Sequence, residues 1–449
     1  MLRPAFRLNQ FTLAALPATI ALCIASANIH ASGFQLKEDD AAGLGRAYAG
    51  STSAPDDAAV VVNNPAAMTD LKAPAFQIDL TGVNFSTHFS GVGFDALGQP
   101  LSGGNGGNGG TTKAVPAVFF AMPATDRWSL GAGVNVPFGF QTGYDSGWVG
   151  RYQGLESRLQ SIALTFSAAY ALSDQFSIGA SAIAQRTSAT LSQAIDFGAI
   201  LATNPQLPPG AFLPQSADGY GSVQGHDWGY GWQLGLLWKP TDADRVGFDY
   251  RSKIDSTLSG NATFGVPASV AGVFAQSPVP VFQNTQGSAV FDTPATAEVS
   301  WWRTLDERWS IGADVAYTNW STLKGLTVTY ANPYQPATTE VFDWSNSWFG
   351  SIGAEYKLDQ AWTLRGGLAV DGTPTSADTR DPRVPDATRR WVTLGLGYKP
   401  DAHWNFDLGY AHLFVNDAHV TDVSATGDVL AGVFADKGNL LGISGQYKF

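Results

Sequence analysis

A single cysteine occurs in 449 residues, and charge is scarce: Asp, Glu, Lys and Arg together make up 14% of the chain, against about 25% in average soluble domains. Cys23 falls inside an N-terminal leader, so the exported protein is expected to hold no thiol, no disulfide and no cysteine-metal site. There is no run of Lys and Arg, and a net charge of -12 argues against nucleic acid as a partner. After the leader, no stretch reaches the ~20 apolar residues that a spanning helix needs. The sequence also lacks a G-x-S-x-G nucleophile motif, a metal-ligating cluster and a phosphate-cradling glycine loop. Neither a cofactor nor a metal is therefore expected.

What is present begins with export. Arg3 and Arg7 precede an apolar run from Phe11 to Ile24, and small residues follow at Ala25-Ser26-Ala27 and again at Ala31-Ser32. This is the layout of a secretory signal peptide, too short and wrongly flanked for a membrane helix. Cleavage fits after Ala27 or Ala31. Taking residues 1–31 as the signal removes two arginines and no acids, which moves the net charge from -12 to about -14. Leu22, before Cys23, lacks the small side chain of a lipid-attachment site.

Aromatics reach 12% and glycine numbers 50. An exported, weakly charged, aromatic-rich chain without spanning helices has a closed β-barrel as its membrane solution. Ten-residue alternation supports it: in WNFDLGYAHL, Trp404, Phe406, Leu408 and Tyr410 share one face, and Asn405, Asp407, Gly409 and Ala411 the other. Similar segments predict fourteen strands: 75–86, 114–123, 128–139, 158–171, 176–192, 226–239, 244–260, 291–304, 309–320, 345–357, 362–371, 389–399, 404–415 and 438–449. Tight connections near 124–126, 173–175, 240–244, 305–307, 359–360 and 401–402 alternate with long ones. Short periplasmic turns and long outside loops give outer-membrane barrels this rhythm. Trp128, Trp238, Trp309, Trp362, Tyr398 and Trp404 cluster near the tight turns, where indole and phenol rings favour the membrane interface.

Residues 32–72 alternate poorly and are rich in Ala, Gly, Asp and Asn. They are expected to form a plug, or hatch, inside the barrel of residues 73–449. One strand contains an obstacle: LGAGVNVPFGF places Pro137 where pairing should continue, and proline has no N–H for a ladder.

The segments SGFQLKEDDAAGLGRAYAGSTSAPDDAAVVVNNPAAM, WSLGAGVNVPFGF, WGYGWQLGLLWKP, FDYRSKI and FDLGYAHLF resemble the FadL family of outer-membrane long-chain fatty acid transporters across the mature chain. The resemblance favours cleavage after Ala31. It implies an all-β fold: a monomeric, fourteen-stranded antiparallel transmembrane barrel closed by an N-terminal hatch. It further implies that ligand is captured in an apolar groove between outside loops, passes to an inner pocket, and leaves sideways into outer-membrane lipid. The opening would lie at a kink in the third strand, matching Val136, Pro137, Phe138 and Gly139. Asn64, Pro65 and Ala66 match hatch residues that lie against that kink, and Phe34 matches a phenylalanine reaching into the pocket. Phe212 and Phe274 sit in the loops that would form the capture groove. Basic residues that meet a carboxylate in the family align with Gln193 and Thr327, so Lys324 and Arg251 are the candidate substitutes. Neutral, toluene-like hydrophobes are the alternative cargo. An outer-membrane lipase using a histidine such as His412 is the enzyme alternative, and the missing serine motif disfavours it.

Overall fold

Trp404, Phe406, Leu408 and Tyr410 are each exposed by about two-fifths, while Asp407, Gly409 and Ala411 between them are buried. A water-soluble sheet would bury the aromatic face. The reversal means that hydrocarbon bathes the outside and the hatch fills the inside. Among the described residues, no helix is long and apolar enough to cross a membrane.

The protein, seen in a computed structural model, is described over residues 33–55 and 57–449. The signal peptide and its cleavage site lie outside the described residues. The strands begin with β1 (Ala75–Phe94), β2 (Thr112–Pro123), β3 (Trp128–Asn135), β4 (Gly139–Gly143), β5 (Glu156–Ala171), β6 (Phe176–Asp196) and β7 (Asp218–Trp238). Next come β8 (Asp244–Arg251), β9 (Thr257–Gly265), β10 (Thr285–Val290), β11 (Thr296–Thr304), β12 (Trp309–Thr318), β13 (Gly325–Tyr330) and β14 (Thr338–Val341). The circuit ends with β15 (Ser347–Lys357), β16 (Trp362–Asp371), β17 (Arg389–Tyr398), β18 (Trp404–Val415), β19 (Ala418–Val423) and β20 (Val429–Lys448). Because β4, β9, β10, β13, β14 and β19 continue neighbouring strands toward the long-loop end, these segments make fourteen antiparallel barrel strands. Closure is complete, with β1 paired to β20 from Ala75↔Lys448 to Phe94↔Val429.

The short turns repeat one chemical device. Asp306, Asp359 and Asp401 each accept, through a carboxylate oxygen, the backbone N–H of the aromatic residue three positions on, Trp309, Trp362 and Trp404, at 2.8–2.9 Å. Such a turn satisfies the first strand donor and sets the indole at the rim. The rings pair across strands: Trp309 with Tyr356 at 4.6 Å and Trp362 with Tyr398 at 4.3 Å.

Strand ends at the long-loop side depart from expectation. The first strand runs to Phe94 rather than 86, and the last begins at Val429 rather than 438. Backbone pairing continues above the lipid band, where outward positions such as His88 and Ser90 are polar, so alternation stops reporting strands that hydrogen bonding still holds. Conversely, the strand expected over 244–260 breaks at 252–256.

The hatch carries two short helical turns, Ala41–Gly45 and Val60–Asn63, and a 3-10 turn, Pro65–Asp70. Asp40 caps the first, accepting from the Ala42 and Gly43 amides at 2.8 Å. Lys37–Glu298 (2.7 Å), Arg46–Glu355 (3.1 Å) and Asp70–Lys239 (2.7 Å) ion pairs fasten it to the wall. Much of the glycine serves this docking. At Gly235, a Cβ would lie 2.9 Å from Pro65 Cδ and closer still to Asn64 Oδ1.

Candidate functional site

The third barrel strand is regular up to Asn135, pairing Val134 with Val118 on one side and Leu164 on the other. Pro137 then ends the ladder on the β2 side. On the other side the chain stays attached: Ser161 N–H donates to the Phe138 carbonyl (2.9 Å), and Phe138 N–H donates to Ser161 Oγ (3.0 Å). β4 then re-joins β5 from Gly139↔Gln160 onward.

The groups freed by the kink are taken up by the hatch. Leu36 N–H donates to the Pro137 carbonyl and Gly139 N–H to the Phe34 carbonyl, both at 2.9 Å. Thus the start of the hatch is a three-residue surrogate strand that satisfies the Pro137 carbonyl and the Gly139 amide, which would otherwise be left unpaired in the wall. The cost falls on β2, whose residues Thr112 to Ala117 have no β3 partner. The resulting gap in the wall is bounded on the short-turn side by Val118↔Val134 and on the long-loop side by a Gly143 N–H bond to the Gly109 carbonyl (2.9 Å).

Behind the gap lies a chamber of about 320 Å³. Phe34, Leu36 and Glu38 line it from the hatch, Val83 and Val115 from the wall, and Val136 from the kink. Phe34 is only 4% exposed. Its ring meets Trp320 at 4.6 Å, Trp344 at 5.4 Å, Phe140 at 5.5 Å, Phe291 at 5.9 Å and Phe138 at 6.2 Å. Trp320, Trp344 and Phe291 sit at or beside the breaks between β12 and β13, β14 and β15, and β10 and β11, so several interrupted strands turn aromatics inward at one level.

A second contributor was hidden from sequence reasoning. Residues 372–388, expected to be an outside loop, fold into the barrel and are mostly buried. Thr142 Oγ1 donates to the Arg383 carbonyl (2.8 Å) and Tyr144 OH to that of Pro382 (2.7 Å), pinning the loop against β4. Arg383, Val384 and Asp386 thereby line the chamber. The one available signal was the pair of arginines, Arg380 and Arg383, in a segment without alternation.

The candidate carboxylate partners are placed elsewhere. Lys324 is 64% exposed, pairs with Asp343 at 2.8 Å and does not line the chamber. Arg251 is buried and donates to Gln185 Oε1 at 3.2 Å, also away from the chamber lining. The cations that do line it are Lys113, Arg158, Arg383 and Arg389. Arg383 bonds the side chain of Gln193, the position where the family resemblance leads one to look for a base. The inserted loop brings charge to a place that strand register cannot report.

Asn64, Pro65 and Ala66 need a similar correction. Asn64 Nδ2 donates to the carbonyls of Thr52 (2.7 Å) and Leu236 (2.9 Å), and Pro65 and Ala66 pack on Gly179 and Gly235 of β6 and β7. The motif therefore docks near the short-turn rim, while Phe34 to Leu36 make the hatch's bonds to the kink. Phe212 and Phe274 join an apolar cluster of the loops beyond β6 and β9, in which Phe197 meets Phe274 at 5.2 Å and Phe282 at 4.9 Å. His412 bonds Asn439 at 2.9 Å within the wall.

Residues 21–449 match the family model described as outer membrane protein transport protein (OMPP1/FadL/TodX). The chain belongs to this family. Its members are transport proteins of the outer membrane that carry hydrophobic substrates. Among relatives, outer membrane protein P1 of Haemophilus influenzae is 29% identical, with 94% of this chain and 93% of P1 covered. The long-chain fatty acid transport protein of Escherichia coli K12 is 28% identical, over 90% of this chain and 92% of that protein. A Pseudomonas aeruginosa FadL homologue of known structure is 30% identical with a TM-score of 0.87, covering 93% of this chain and 100% of its own. The Ralstonia pickettii toluene transporter TbuX, at 22% identity and a TM-score of 0.66 over 92% and 99%, shares the fold.

Proposed function

We propose that the protein takes up long-chain fatty acids by passive diffusion. The acid is captured on the apolar loop cluster of Phe212 and Phe274, held in the chamber beside Phe34, and released sideways through the gap at Val136 to Gly139. The observation that carries this reading is that one cavity touches both Phe34 inside and Val136 at the gap. A volume of about 320 Å³ is at the lower end of small-molecule pockets, so Phe34 shares its space with the ligand and moves when ligand arrives. Sideways exit suits the cargo, since each methylene kept out of water is worth about 0.8 kcal/mol. An exit into the periplasm would forfeit that gain for every carbon of the tail. Arg383 lines the chamber beside Gln193, and an anionic cargo would meet its guanidinium there in competition with Glu340 at 3.3 Å and Asp381 at 3.7 Å. Outer-membrane lipid receives the product, and a single barrel suffices for the path.

Neutral aromatic compounds are a second reading, favoured by the five aromatic rings around Phe34. The deciding experiment is uptake of labelled oleate and labelled toluene by cells deprived of their own channel of this type. Oleate uptake dependent on this protein is expected. Toluene uptake alone would favour the second reading, and uptake of neither would refute both.

A further inference from the structure

Of the four cations lining the chamber, only Arg383 has a use in the scheme above. Lys113 and Arg158 stand on opposite flanks of the kinked strand, one on β2 and the other on β5, and both border the same cavity. Their registers differ. Lys113 belongs to the inward set of β2, whose members Val115, Ala117 and Phe119 are buried. It is nevertheless exposed, because β3 has already left its side. Arg158 belongs to the outward set of β5, in line with the lipid-exposed Phe166 and Ile162. It follows Gln160 toward the long loops, so it sits where the apolar band has just ended.

The other pair of cations is internally compensated: Arg383 is paired with Glu340 and Arg389 with Asp386. Among the described residues, Lys113 and Arg158 have no acid within ion-pair distance, and Arg158 meets only the amide oxygen of Gln160, at 3.4 Å. Uncompensated cations are costly beside hydrocarbon and tend to mark the route of a charged substrate. Both border the cavity, Lys113 from the inward set of the wall and Arg158 from its outward set, with the wall gap between them.

We infer that Lys113 and Arg158 form a carboxylate station at the mouth of the wall opening. The inference rests on the fatty acid reading. An acid leaving tail-first enters hydrocarbon while its head group is still at the polar boundary, the height at which long basic side chains hold their charge in water. Lys113 meets the carboxylate as it leaves the chamber, and Arg158 receives it on the outside. The carboxylate therefore never crosses the gap unpaired, and it enters the leaflet with its charge already at the interface.

The test compares labelled oleate with labelled oleyl alcohol, which has the same tail and no charge, in cells producing equal amounts of wild type, K113Q, R158Q or the double variant. The double variant is expected to slow oleate uptake by about tenfold, the effect of losing one charge-assisted hydrogen bond, with oleyl alcohol uptake unchanged. K113R and R158K should restore oleate uptake. Unchanged oleate uptake in the double variant, beside a competent wild type, overturns the station and leaves the fatty acid reading intact. Equal loss of both probes also overturns it, and would identify the pair as a contact for lipid head-group phosphates or for the fold. Failure of the wild type to take up oleate refutes the fatty acid reading and the station with it.

Discussion

Substituting Gly235 with alanine should unseat the hatch while sparing the barrel. Gly235 lies directly opposite Gly179 on β6 and Asp249 on β8, so its strand is held on both sides and cannot retreat. The added Cβ would stand 2.9 Å from Pro65 Cδ, 3.1 Å from the Ala66 amide nitrogen and nearer still to Asn64 Oδ1. Asn64 is fully buried and cannot rotate away without losing its bonds to Thr52, Leu236 and the Ala66 amide. Overpacking of this kind costs about 1–3 kcal/mol, and each displaced hydrogen bond adds about 1 kcal/mol. A total near 4 kcal/mol is enough to favour an undocked hatch if the remaining ion pairs yield. The measurement is conductance in a planar bilayer, together with protease cleavage within residues 33–70 added from the short-turn side. The wild type should be nearly silent and resistant, whereas Gly235→Ala should open for a measurable fraction of the time and be cut. A silent, resistant variant with a normal far-UV spectrum would show that the glycine window does not hold the hatch. The companion Gly179→Ala should act in the same direction but not additively, since both meet the same Pro65 and Ala66 atoms.

Phe34→Ala removes the ring at the centre of the aromatic cluster, a change that costs buried sites about 3–5 kcal/mol. The barrel should still assemble, oleate binding should weaken by tenfold or more, and tryptophan emission from Trp320 and Trp344 should shift to the red. Arg383→Gln should lower oleate uptake at least fivefold and leave toluene uptake alone, and equal loss of both would refute a charge-reading role. Asp70 supplies a pH dependence. Burial alone would raise its carboxyl, but the Arg245 and Lys239 charges prevail and hold it below the ordinary carboxylate value. A depressed value means that its contribution to hatch docking is present above the ordinary carboxylate range and is lost as pH falls through the lowered value. Protease resistance of the hatch should therefore drop in strong acid, and Asp70→Asn should show that weakened state at neutral pH.

Alternation and punctuation in the chain were enough to count the barrel strands. A lipid-facing surface requires an apolar residue at every second position, and that requirement is written locally, as in Trp404 to Ala411. The same is true of the turns, where an acid three residues before a tryptophan closes a bend and sets a ring at the interface. Pro137 could be recognised as a break because a missing N–H is a property of the residue itself. What fills the break could not be recognised, because Phe34 and Leu36 are a hundred residues away and their bonds come from backbone, which any side chain would supply.

Charge placement was the least legible feature. Lys324 and Arg251 were suggested by proximity along strands, yet one is paired with Asp343 outside the chamber and the other is turned toward Gln185. Arg383 reaches Gln193 only because residues 372–388 fold inward, and Lys113 is exposed only because the neighbouring strand bends away. By itself, then, the sequence determined the class of the protein, its strand number and the position of its flaw, since each depends on local residue type. The tertiary structure alone decided which hatch residues repair the flaw and which cations face the passage, since those depend on segments that meet only when the barrel closes around its plug.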